Sequence, residues 1–209
     1  MNNEFLKRVL SSIILIPLVF FVILMGSYYF ILFIMLCYLL SFYEWYFLSK
    51  EKNYQLPGFI FLVISMITAI YLRLYYSEDY FYFLFIILIC VATDIGGYAF
   101  GKLFKGPKLT KVSPNKTYSG VIGSYLCSLT VSYFFILYFQ NFLIIEINLF
   151  LVTVLVSSVS QIGDIILSYF KRLSNLKDTG KLIPGHGGIL DRVDGMIFAL
   201  PFLNFFFLI

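Results

Sequence analysis

Residues 80–100 read YFYFLFIILICVATDIGGYAF, and this stretch decides the class of the fold. It carries a single charged residue, Asp94, near its end. Wound as an α-helix at about 1.5 Å per residue it reaches about 30 Å, the thickness of a bilayer's hydrocarbon core. Working outward, comparable apolar runs fall at about 9–26, 28–48, 57–76, 119–139, 146–168 and 193–209. None alternates polar with apolar residues as a barrel strand does, and a spanning segment that is not part of a barrel must be helical. The whole chain is 61% hydrophobic and 12% charged, half the charge of an average soluble domain (about 25%). The expectation is an all-α, polytopic helical membrane protein with about seven transmembrane helices. It is read as one integral-membrane domain over residues 1–209.

The first run follows Lys7 and Arg8, as the core of a signal peptide would. It lacks a small-residue cleavage site and leads directly into a second run, so it is read as a retained helix, kinked at Pro17. No internal repeat of the kind found in many transporters is visible.

Charge sets the orientation. With a cytoplasmic amino terminus, fourteen cations fall in the cytoplasmic segments: Lys7, Arg8, Lys50, Lys52, Lys102, Lys105, Lys108, Lys111, Lys116, Lys171, Arg172, Lys177, Lys181 and Arg192. Only Arg73 falls on the far side, a strong positive-inside asymmetry. The net charge of +4 therefore describes a basic face at an inner membrane, suited to lipid headgroups and phosphates. Nucleic acid is a poor partner, because that face is divided into short loops tied to the bilayer. Cys37, Cys90 and Cys127 all lie within apolar runs and show neither disulfide nor metal spacing.

Polarity concentrates in two cytoplasmic segments, 94–120 and 164–194. Asp94 and Asp164 stand inside or at the ends of apolar runs. A carboxylate there either faces a polar cavity or already sits among headgroups. Asp164, Ser168, Lys171 and Arg172 follow the i, i+4, i+7, i+8 spacing of one helical face, and a carboxylate, a hydroxyl and two cations suit a metal and a phosphate. In the sixteen residues GKLIPGHGGILDRVDG, 180–195, lie the only histidine, His186, and Gly180, Gly185, Gly187, Gly188, Asp191 and Asp194. The glycines permit an anion-binding concavity of backbone amides, or simply a turn. The two aspartates suit metal binding, or the capping of a helix amino terminus.

Familiar motifs are excluded. GKLFKGP, 101–107, begins like a P-loop but has Pro107 where lysine is needed. There is no G-x-S-x-G elbow for the GHGG segment to serve, and one histidine cannot build an H-E-x-x-H zinc site. A small transporter for a phosphorylated or cationic solute is the competing class. It would carry polar residues through the depth of the membrane, whereas here they collect at one face.

Ser168 to Asp194, SYFKRLSNLKDTGKLIPGHGGILDRVD, resembles the signature of the phosphatidate cytidylyltransferase (CDP-diacylglycerol synthase) family. Agreement covers Ser168, Lys171, Arg172, Lys177, Asp178, Gly180, Pro184, His186, Gly187, Gly188, Asp191, Arg192 and Asp194. SPNKTYSG, 113–120, resembles a second polar motif of that family and DIGGYAFG, 94–101, a third; KRVLSSIILIPLVFF and FYEW, 42–45, resemble its amino-terminal region. The family commonly has Lys at the place of Asn115 and Glu at that of Ser119, while Ser113, Lys116 and Thr117 are retained. A CDP-alcohol phosphatidyltransferase is disfavoured, since its D-G-x-x-A-R array is missing.

The resemblance implies transfer of a cytidylyl group from CTP to phosphatidate, giving CDP-diacylglycerol and pyrophosphate. It implies Mg²⁺, with a second cation nearby, held by Asp164 and Asp191 with Asp194 close to the metal. Lys116, Lys171 and Arg172 are the expected catalytic cations. Ser113, Thr117, Ser168, His186, Gly187, Gly188 and Asp94 join them as expected substrate contacts. Partners are then CTP, phosphatidate and the bilayer, with a homodimer left open.

Overall fold

The computed structural model describes residues 17–74, 80–110, 112–139, 148–180, 182 and 187–207; the side chains of 205–207 are not described. Residues 17–25 are helical. Seven helices follow: α1 (Ser27–Ser49), α2 (Gln55–Leu74), α3 (Phe81–Phe104), α4 (Tyr118–Phe139), α5 (Leu149–Leu173), the single turn α6 (Leu190–Val193) and α7 (Met196–Phe207). Among the described residues there is no strand; an isolated bridge joins Lys108 and Thr117. The all-α expectation holds. Of the seven expected spans, α1 to α5 are long and apolar enough to cross a membrane. Residues 9–16 of the first run lie outside the described residues, its remainder is helical over 17–25, and α7 is 12 residues long.

Helix ends follow local chemistry. Asn148 caps α5 by accepting the amides of Phe150 and Leu151 on Oδ1 at 3.0 and 3.3 Å. At the other end Asn175 turns left-handed (φ 54°), and the amide of Leu176 donates to the carbonyl of Lys171 at 2.9 Å, closing the helix. Helix α3 stops where Lys105 and Gly106 both take positive φ ahead of Pro107.

The described chain groups into two compact units. One comprises residues 1–80 and 170–194, the other 81–169 and 195–209.

In the first unit α1 and α2 form an antiparallel hairpin. Trp45 lies over Gly58, donates Nε1–H to the carbonyl of Gln55 at 3.0 Å, and meets the ring of Phe170 edge-on at 5.4 Å. Ser174 ties the segment after α5 to this hairpin, donating to Leu48 O at 2.5 Å and pairing with the Tyr54 hydroxyl at 3.0 Å. At the opposite end of α2, Arg73 is buried and donates Nε–H and Nη2–H to the carbonyl of Ile23, at 3.1 and 2.9 Å. That carbonyl belongs to the last turn of the helix over 17–25, where acceptors lack intrahelical partners and cations are favoured. The cation that the charge count set apart from the other fourteen is thus a helix cap.

In the second unit α3 and α4 pack along a seam of small residues. A Cβ placed on Gly123 would strike the ring of Phe100 and come within 2.7 Å of the Gly96 carbonyl; one on Gly120 would come within 2.8 Å of the Gly97 carbonyl. Lipid tails are as apolar as leucine, so membrane helices associate through close packing and hydrogen bonds, and glycine permits the approach. Hydroxyls add to this: Thr93 Oγ1 donates to Ser157 Oγ at 2.9 Å, and Ser124 Oγ to Thr93 O at 2.7 Å. The apolar core includes Phe85, Ile86, Ile89 and Phe135, while Ile95, Leu103 and Tyr138 stand exposed, as suits a lipid-facing surface.

Candidate active site

Each unit carries one cluster of polar side chains drawn from the segments that the sequence marks. In the second unit, the chain from Lys105 to Thr117 folds back on itself. The amide of Leu109 donates to Lys116 O at 2.8 Å, that of Lys116 to Ser113 O at 3.0 Å, and that of Tyr118 to Pro107 O at 3.2 Å. Ser113 is held in turn by its amide, which donates to Thr110 Oγ1 at 3.1 Å. Thr117 accepts the amide of Gly120 on Oγ1 at 3.1 Å, which makes it the amino-terminal cap of α4. Ser119, one of the two positions that depart from the family pattern, pairs with Thr117 at 2.9 Å and donates to Lys105 O.

This turn delivers Lys116 to α5. Its Nζ stands 2.6 Å from Asp164 Oδ2 and 3.4 Å from the carbonyl of Gln161. Ser168, one helical turn after Asp164, donates to Asp164 Oδ1 at a long 3.3 Å. The Lys116 and Asp164 side chains are 23% and 29% exposed, so water or a ligand can reach both. Asp94 is exposed on α3.

In the first unit, Lys171 Nζ donates to Asp191 Oδ1 at 2.8 Å. These side chains are only 11% and 6% exposed. A buried ion pair is tolerable when the remaining acceptors are filled, and here they are: Asp191 Oδ2 accepts the amides of Thr179 at 2.8 Å and Gly188 at 3.1 Å. Gly187 has φ 87°, a conformation that glycine adopts freely, and a Cβ there would come within 3.0 Å of Asp191 Oδ2. Arg172 is exposed and donates to Leu176 O at 3.1 Å. Asp194 is buried at the end of α6. His186, Gly185, Pro184 and Lys181 lie outside the described residues.

One carboxylate here had no role assigned from sequence. Glu44, 1% exposed in α1, accepts the amides of Ile189 on Oε1 (2.9 Å) and of Leu190 on Oε2 (2.8 Å). Its Oε2 also accepts the hydroxyl of Thr179 at 2.8 Å. The signal was available: Glu44 is the sole charged residue of the apolar run 28–48, and an ionisable group in a span is a functional candidate by default.

Chemically, each cluster offers a hard oxygen ligand already neutralised by a lysine. The open Lys116–Asp164 pair can receive a cation at the carboxylate and an anion at the ammonium without leaving net charge stranded, whereas a cation at Asp191 must displace Lys171 or one of the two amides. Among the described residues no group of three or more His, Cys, Asp or Glu side chains forms an all-protein metal cage.

Comparison with known proteins agrees with the resemblance read from residues 168–194. The phosphatidate cytidylyltransferase of Staphylococcus saprophyticus is 40% identical over 161 residues, 75% of this chain and 62% of its own length. Phosphatidate cytidylyltransferases of Staphylococcus epidermidis and Staphylococcus aureus (strain COL) are each 47% identical, over 132 and 129 residues, 61% of this chain and 49% of their own length. The chain therefore spans from about half to about three fifths of the length of these curated relatives. A model described as the Cytidylyltransferase family matches residues 6–78 and 71–209, both polar clusters included, and the chain belongs to that family.

Proposed function

We propose that this protein transfers a cytidylyl group from CTP to phosphatidate at the cytoplasmic face of a cell membrane, forming CDP-diacylglycerol and pyrophosphate. The observation that carries the reading is the pairing of each key acid with a lysine, Lys116 with Asp164 and Lys171 with Asp191, inside the polar segments of a Cytidylyltransferase family match.

The chemistry asks for such groups. A phosphate oxygen of phosphatidate attacks the α-phosphorus of CTP, the bond to the β-phosphate breaks, and pyrophosphate departs with the electron pair. Phosphate is already a nucleophile at neutral pH, so no general base is needed. The obstacle is repulsion between two polyanions, and catalysis rests on positioning and charge neutralisation. Lys116, Lys171 and Arg172 supply fixed positive charge, with Ser113 and Ser168 as neutral donors to phosphate oxygens. Thr117 fixes the start of α4 and thereby the backbone that carries Lys116.

Magnesium fits the donor set. Mg²⁺ takes one or two carboxylates and completes its shell with water and substrate phosphates, so it needs no cage of three protein ligands. Asp164 and Asp191 are the carboxylates assigned to bind magnesium, each within its own unit, with Asp194 supporting; when bound, the ion would screen phosphate charge and polarise the reacting phosphoryl group. The half-buried Asp164, whose Oδ1 among the described residues is engaged only by the long Ser168 contact, is the more open of the two.

The test is an assay of the purified full chain in detergent with labelled CTP, phosphatidate and Mg²⁺. A lipid-soluble cytidine product that requires both lipid and metal is expected. Its absence in active-lipid conditions, with the protein folded, would reject the reading.

A further inference from the structure

We propose that Glu44 is a positioning residue for the Asp191 carboxylate. From within α1 it pins the chain at Thr179, Ile189 and Leu190, and so fixes where Asp191 and Lys171 stand. The inference rests on the role given to Asp191 in the proposed function.

Two carboxylates divide one stretch of backbone between them. The successive amides of Gly188, Ile189 and Leu190 donate to Asp191 Oδ2, Glu44 Oε1 and Glu44 Oε2. Thr179 is shared, its amide going to Asp191 and its hydroxyl to Glu44. Runs of amides of this kind make concavities for anions, and here the described amides are filled by the protein's own side chains. Glycine lets them close. A Cβ on Gly188 would overlap Glu44 Oε2 and Thr179 Oγ1, and one on Gly180 would lie 2.7 Å from Glu44 Oε1.

The need is for a carboxylate specifically. Glu44 meets three donors with two acceptor oxygens, and Leu190 is fully buried. Glutamine would present one oxygen and one NH₂ group, so a donor would face a backbone N–H whichever way the amide turned. An apolar side chain would leave the amides of Ile189 and Leu190 without this acceptor. At 1% exposure Glu44 is closed to substrate, so its effect on transfer runs through Asp191, one residue beyond the amide it holds.

The full chain, wild type and Glu44→Gln, is to be compared in detergent by steady-state kinetics with CTP, phosphatidate and Mg²⁺, and by amide hydrogen exchange without substrates. Displacing a catalytic group by an ångström costs about 100-fold in rate, so kcat is expected to fall by roughly that factor while KM for CTP stays within about threefold. Exchange should accelerate at residues 188–191 and stay unchanged across α3 and α4. Thr179→Val, which replaces the hydroxyl by a methyl group and keeps the backbone amide, should shift both readouts the same way by less, and decides the matter if Glu44→Gln does not fold. Wild-type kcat in both variants, a rise in KM alone, or lost activity with unchanged exchange at 188–191 would each overturn the proposal. If the wild type makes no product, the functional reading fails by itself, and the exchange measurement still decides whether Glu44 holds this segment.

Discussion

The ammonium of Lys116 stands 2.6 Å from the Oδ2 of Asp164, and both side chains remain about a quarter exposed. An ion pair this open contributes little to stability, about 0–1 kcal/mol. Its presence in two separate polar motifs is better explained by chemistry than by folding. Lys116→Ala should therefore leave membrane insertion and melting temperature nearly unchanged. A charge-assisted hydrogen bond to phosphate is worth about 2 kcal/mol, so kcat/KM should fall roughly thirtyfold. Unchanged steady-state kinetics would remove Lys116 from the site.

Asp191 stands in the opposite regime, buried against Lys171 and two amides. Asp191→Asn puts an NH₂ group against either the ammonium or an amide N–H. Nucleotide transfer should be abolished while the chain still inserts, and wild-type turnover would refute the metal role. Breaking a buried pair costs about 3 kcal/mol, so a lower melting temperature should accompany the loss.

The α3–α4 seam distinguishes glycines that resemble one another in sequence. At Gly97 an added methyl has one tight contact, the Ser124 Oγ at 2.8 Å, and a single side-chain oxygen can shift at the cost of its bond to Thr93 O. At Gly123 it meets an aromatic ring and a backbone carbonyl. Gly123→Ala should destabilise the protein by about 1–3 kcal/mol, the usual range for overpacking, and Gly97→Ala by distinctly less. Melting in detergent checks the order, and equal effects would contradict the seam as described.

Arg73 is expected to matter for folding alone. It caps a helix through the Ile23 carbonyl, and α2 separates it from the Gln55 end of its hairpin by about 27 Å at 1.5 Å per residue. Arg73→Met should cost about 1.5–3 kcal/mol, the worth of hydrogen bonds to a charged group, and leave kcat and KM unaltered. A selective loss of activity at constant melting temperature would show otherwise.

Much of this was legible in the chain itself. Spans show as long apolar runs because lipid leaves the backbone no alternative to helix, and α1 to α5 fall where those runs predict. The polar clusters were legible because polar groups are sparse in such a chain: Asp164, Lys171 and Asp191, picked out as candidates, all stand in polar contacts. Pairing was not legible. Helical spacing set Asp164 and Lys171 on one face, yet each takes its partner from elsewhere, Lys116 and Asp191, and no periodicity encodes those contacts. Thr117, expected as a substrate contact, also caps α4, which its spacing did not single out, because a hydroxyl before a helix serves either purpose. Glu44 escaped assignment because its partners are backbone amides, which leave no mark in a sequence.

The bond from Leu190 to Glu44 closes a loop of 146 residues, and this has a consequence for biogenesis. A ribosome feeding the membrane from the amino terminus delivers α1 long before Thr179, Ile189 and Leu190 exist. Throughout that interval the Glu44 carboxyl must be satisfied by water or by a neighbouring insertion factor. A nascent chain stalled before residue 179 should thus present an α1–α2 hairpin that proteases and membrane chaperones treat as unfinished, and release should come only when the last of the three donors emerges.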